Sequence, residues 1–146
     1  MDYLSKSKIN FFYYVNFYLT DRTDLKQFIE RLFKKEKKKI NYINYIFCND
    51  NQIIKINNRF LNHNYYTDII TFNLADKSEP ISAEIYISID RVRDNAKNLE
   101  IPFVAEIHRV MFHGALHLCG YNDKTKSDIL KIRMKEDNYL KLYFKK

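Results

Sequence analysis

Glycine, proline and cysteine are scarce in this chain, at two of each among 146 residues. So few turn formers leave little room for many tight turns, and helices should be prominent. Two cysteines, Cys48 and Cys119, cannot build a disulfide framework and fit a reducing cytoplasm. No apolar run approaches the ~18 residues that a membrane span needs, so no crossing is expected. The segment after Met1 and Asp2 is dense in Asn and Tyr and offers no small-residue cleavage site, which argues against a secretory leader.

What is present points to a globular protein. Hydrophobic residues make up 46% and aromatic residues 16%, enough for a core at this length. One α+β domain over residues 1–146 is expected. The net charge is +7. A polyanionic partner accounts for that. So does an AT-biased genome, which enriches Lys, Asn, Ile, Tyr and Phe in proteins that bind nothing. Charge alone does not separate the two.

Aromatic residues at 9–19 read as a strand, and Leu25, Phe28, Ile29, Leu32 and Phe33 fall at helical spacing within 21–35. The lysine run that follows, Lys34 to Lys39, reads as a solvated helix end. Residues 40–48, 67–74 and 84–89 read as further strands, with 75–82 as the loop of a hairpin. A short helix over 52–60 is capped by Asp50. Ser88 or Asp90 caps another across Val92, Ala96 and Leu99. Pro102 opens the most apolar helix, 103–119, and a last helix runs over 126–144. The fold class is therefore α+β: a small four-stranded mixed sheet with packed helices, and the 103–119 helix in its centre.

That helix carries the chemistry. His113 and His117 are one turn apart on one face, so both imidazoles can reach a single ion. Gly120 then ends the helix in a left-handed cap, and the chain returns to deliver Asp123. Two histidines and a carboxylate, with the remaining positions left to water, match an open catalytic zinc site. A protease of the HExxH type needs a Glu after the first histidine, but Gly114 stands there. Gly114 either leaves room for substrate or lets another element pack closely. Non-haem iron triads draw their ligands from strands far apart in sequence, unlike this helix and turn. Metal-assisted hydrolysis remains, and an RNA phosphodiester suits a basic, aromatic-rich protein.

Other polar residues admit structural readings. His63 fits a solvent-facing loop, and His108 lies off the histidine face. Glu106 lies on that face and either orients a ligand or is solvated. Asp68 either holds a turn or serves RNA. Cys119 points away from the histidines as a small buried residue.

The run from His113 to Asp123, His-Gly-x-Leu-His-Leu-x-Gly-Tyr-x-Asp, resembles the signature of the YbeY-type endoribonucleases, the bacterial rRNA maturation factors. The stretch 67–72 is similar to that family's Thr-Asp/Asn-Val-Leu-Ser-Phe strand, and 83–88 to its Gly-Asp-Ile strand. The resemblance implies a single-strand-specific endoribonuclease dependent on one divalent ion, zinc being expected. It further implies a role in maturation of the 16S rRNA 3′ end and ribosome quality control, with rRNA in the small subunit as partner. His113, His117 and Asp123 take the places of the metal ligands, and Glu84 is a catalytic candidate for orienting a water. The family's usual third ligand is His, where Asp123 stands. Its usual Arg six residues before the strand motif is Leu61 here. Arg59 and Lys124 are candidates to contact RNA in its stead. Leu61 also keeps open a second reading, a non-catalytic ribosome-assembly factor with a structural metal.

Overall fold

The computed structural model describes residues 7–63 and 66–145. Residues 1–6, read above for a leader, and Asn64 of the His63 loop lie outside them. The elements run β1 (Ile9–Tyr13), α1 (Arg22–Lys35), β2 (Ile40–Cys48), α2 (Asp50–Leu61), β3 (Ile69–Asn73), β4 (Ile81–Ser88), α3 (Ile89–Leu99), α4 (Phe103–Leu118) and α5 (Lys126–Phe144). The sheet order is β1-β2-β4-β3, with β1, β2 and β4 parallel and β3 antiparallel to β4. This is the expected α+β arrangement with a four-stranded mixed sheet.

Strand alternation decides which side chains reach the core. Tyr45 and Phe47 of β2 and Ala83, Ile85 and Ile87 of β4 are all fully buried on one face, under α4. The other face buries a smaller cluster, in which Ile53 of α2 meets Cys48 and Ile70. Helix α4 is the central helix, with Met111, Phe112, Ala115 and Leu116 fully buried. Met111, Phe112 and Leu116 each contribute roughly 1.5–3 kcal/mol of burial free energy. At Gly114 the helix packs directly against the sheet. A β-carbon there would lie 2.9 Å from Ile69 Cδ1 and 3.1 Å from Ile85 Cγ2. Its role is therefore packing, which settles the alternative left open above. The Tyr45 hydroxyl donates to the Met111 carbonyl at 2.8 Å and ties the helix to β2.

Several boundaries differ from the sequence reading. β1 stops at Tyr13, because its ladder partner β2 is nearly exhausted at Phe47. The aromatics beyond it pack as a corner instead, Phe17 lying edge-on to both Phe47 and Phe103. β4 starts at Ile81, whose partner is Ile40 of β2. The cap of α2 is Asn49, paired with Gln52 in a capping box, whereas Asp50 accepts from the Ser88 hydroxyl and Arg91. Ser88 caps α3. Scarce glycine also shows at helix ends. Lys37, Asn62 and Glu100 hold the left-handed conformation, at φ 61°, 57° and 56°. A β-carbon there costs about 1–2 kcal/mol that glycine avoids.

Candidate metal centre

Helix α4 ends in a Schellman motif, and that motif shapes the site. The Gly120 N–H donates to the His117 carbonyl and the Tyr121 N–H to the Leu116 carbonyl, both at 3.1 Å. Gly120 sits at φ +107°, where side chains are strained, so glycine is required. The reversed chain brings the Tyr121 carbonyl to 2.9 Å from His117 Nδ1. It also brings Asp123 Oδ2 to 3.5 Å from His113 Nε2.

The two imidazoles lie nearly parallel, 6° apart, with ring centroids 6.3 Å from each other. His113 Nδ1 meets Glu136 Oε2 of α5 at 2.6 Å. Each ring is thus held through Nδ1, by a carboxylate in one case and a carbonyl in the other, which leaves Nε2 as the nitrogen available to an ion. Metal-binding histidines are commonly oriented by such partners. Among the described residues, no group of three or more His, Cys, Asp or Glu side chains is placed to hold an ion as it stands. The donor chemistry nonetheless fits one: two oriented imidazole nitrogens and a half-exposed carboxylate beside them.

Electrostatics concentrate on His113. Burial presses its pKa down, but the Glu136 carboxylate, with Asp123 and Asp68 further off, outweighs burial and holds it above the usual value. Glu136 is itself only 2% exposed. Its second oxygen accepts from Arg109 at 3.0 Å, and Arg109 also reaches Asp137 at 2.7 Å. The sequence reading missed Glu136. The signal was a lone acid in a buried stripe of α5, between Ile132 and Tyr139.

The other residues singled out scatter. Glu84 belongs to the face opposite α4, since its neighbours Ala83 and Ile85 fill the α4 face; it accepts from the Tyr86 hydroxyl at 2.9 Å. The structure therefore does not bring Glu84 to the histidines. Arg59 lies on α2, across the sheet, over the ring of Phe60 at 5.4 Å. Lys124 is exposed in the loop after Asp123. Asp68 accepts from Asn95 at 3.1 Å, and its pKa is raised by burial against the pull of His113. Glu106 is buried rather than solvated and lies 3.5 Å from the Asn95 amide. His108 is structural, with Nδ1 at 2.7 Å from the Val104 carbonyl and Nε2 at 2.8 Å from Asp21.

Comparison with known proteins agrees with the motif. The family model described as endoribonuclease YbeY matches residues 15–143. The endoribonuclease YbeY of Flavobacterium psychrophilum is 44% identical over 135 residues, covering 92% of this chain and 96% of the relative. That of Cytophaga hutchinsonii is 45% identical over 124 residues, covering 85% and 87%. The solution structure of TM1509 from Thermotoga maritima superposes with a TM-score of 0.68 at 25% identity, covering 93% of this chain and 89% of that one. Motif, fold and relatives agree, and the chain belongs to the endoribonuclease YbeY family.

Proposed function

We propose that this protein is a metal-dependent endoribonuclease that cuts single-stranded RNA during maturation of the 16S rRNA 3′ end. The observation that carries the reading is the pair of α4 imidazoles, each held through Nδ1 and so left to present Nε2. His113 and His117 would hold the ion, and Asp123 would complete the protein's ligand set. A divalent ion, zinc by preference, supplies a water of lowered pKa and a Lewis acid for the phosphodiester. Glu136 fixes the ring of His113, and the Tyr121 carbonyl fixes that of His117. Asp123 in place of the family's usual histidine adds a negative charge, which makes bound water less acidic and favours harder ions.

RNA of the small ribosomal subunit is the proposed substrate, and the cytoplasm the proposed place. Cys48 and Cys119 are free and buried, and burial pushes both thiols up to about 12, which suits unreactive core residues. Among the described residues, no helix is long and apolar enough to cross a membrane. One observation favours the second reading, a non-catalytic assembly factor: Leu61 stands at the family's usual Arg position, and Arg59 lies across the sheet from the histidines.

The test is elemental analysis of the purified protein together with cleavage of single-stranded and duplex RNA, with and without chelator. We expect one bound ion per chain and cleavage of the single strand that chelation abolishes. A bound ion with no cleavage would favour the assembly factor. Cleavage indifferent to chelator and to loss of His113 would overturn the metal assignment.

A further inference from the structure

The lysine run that follows α1 is not merely a solvated helix end. Lys37, Lys38 and Lys39 line a cavity of about 710 Å³ together with Lys77 of the β3–β4 loop and Gly120 at the end of the histidine helix. Asp76 and Glu79 also line it, so the cavity carries a net positive charge from its side chains. Among the described residues, none of these four lysines is engaged in an ion pair, unlike Lys135, which is held by Glu36 at 3.2 Å. Lys38 and Lys39 also line a second cavity of about 560 Å³, with Lys8, Arg31 and Lys34. The basic surface is therefore continuous, and it begins where α4 ends, three residues past His117. Genome bias would scatter lysines over every face. It would not gather them from two chain segments around the end of the histidine helix.

We propose that this cavity seats the phosphate backbone of single-stranded RNA, on the side of the scissile bond next to His117. Ammonium groups on flexible stems suit phosphates of an irregular strand, which bind as charges rather than as fixed bidentate pairs. The cavity, rather than Arg59 or Lys124, then supplies most of the salt-dependent affinity. This rests on the proposed nuclease reading, but it is tested separately from it.

The experiment is a salt titration of RNA binding, by fluorescence anisotropy, with a labelled twelve-nucleotide single strand. The wild type is compared with a variant in which Lys37, Lys38, Lys39 and Lys77 are all Ala. A control of equal charge replaces Lys26, Lys55, Lys97 and Lys141, which lie outside both cavities. Each lost phosphate contact should flatten the log–log slope by about 0.7, so the cavity variant should lose about 2 to 3 in slope and the control little. The single change Lys37→Gly guards against misfolding, because it relieves a left-handed residue. It should unfold no more easily than wild type, yet lose about 0.7 in slope. Equal losses in the cavity and control variants would overturn the proposal, as would a Lys37→Gly protein with wild-type binding. His113→Ala separates the two readings: lost cleavage with retained, salt-sensitive binding leaves the cavity assignment standing whatever the ion does.

Discussion

Replacing Glu136 by Gln should loosen the site without emptying the core. The side chain is 3% exposed, and both oxygens are engaged: one by His113 Nδ1 at 2.6 Å, the other by Arg109 at 3.0 Å. Gln has the same shape but only one acceptor oxygen, so its NH₂ must face either the imidazole N–H or the guanidinium. One charge-assisted hydrogen bond is lost and the other weakened, at about 1.5–3 kcal/mol for the first. Loss of a partner behind a metal-binding histidine commonly costs about 10–100-fold in metal affinity. We therefore expect Glu136→Gln to lower stability by about 2–3 kcal/mol in urea unfolding of the chelated protein. Zinc affinity, measured against a chromophoric chelator, should fall at least about tenfold. Asp137→Asn is the control. It touches the same arginine at 2.7 Å but not His113, and its side chain is 50% exposed, so it should cost less than about 1 kcal/mol and leave zinc binding alone. Zinc affinity of Glu136→Gln within about twofold of wild type would refute the reasoning. So would an equal loss in Asp137→Asn, which would mean that the arginine, not the histidine, transmits the effect.

The contrast between Glu136 and the histidines shows what the sequence could convey. His113 and His117 are legible because their geometry is local: one helical turn fixes the spacing whatever surrounds it. β2 and α5 run over the residues expected: β2 is a compact run rich in Ile, Tyr and Phe, and α5 has a clearly capped start. Glu136 depends on α5 lying against α4 and meets its histidine across 23 residues, which no local pattern reports. Glu84 is the opposite case. Its placement was readable in principle, because a residue between two fully buried neighbours on a strand must point to the other face. Reading β4 from Glu84 rather than Ile81 hid that alternation. The lysine run was rightly seen as exposed, but its neighbours Lys77 and Gly120 come from distant segments that only the sheet brings together.

Four further outcomes test the remaining assignments. Asp123→Ala should lose zinc while Asp123→His keeps it, by elemental analysis; full occupancy in the alanine variant would remove Asp123 from the ligand set. Asp21 answers to pH. Burial works to raise its pKa, but hydrogen bonds from Tyr143 and His108 prevail and hold it below the usual value. Its stabilisation is therefore present above the unfolded value near 3.9 and fades as pH falls through the lower folded one. Asp21→Asn should flatten the stability profile below about pH 4, and an unchanged acid profile would contradict this. Gly120→Ala should part metal binding from packing. Nothing lies within 4 Å of an added β-carbon, so no clash arises, and the penalty is backbone strain at φ +107°, about 1–3 kcal/mol. The turn can escape that strain only by changing shape. Doing so moves the Tyr121 carbonyl from His117 and Asp123 from His113, so zinc affinity should fall roughly tenfold. Gly114→Ala reverses the pattern. Its β-carbon meets Ile69 and Ile85, so overpacking of about 1–3 kcal/mol is only partly offset by a helix-propensity gain of about 1. The histidines on the outward face are undisturbed, and zinc affinity should hold. If Gly120→Ala lost stability but bound zinc normally, the Schellman turn would be a helix cap and nothing more, and His117 would owe its orientation to some other contact.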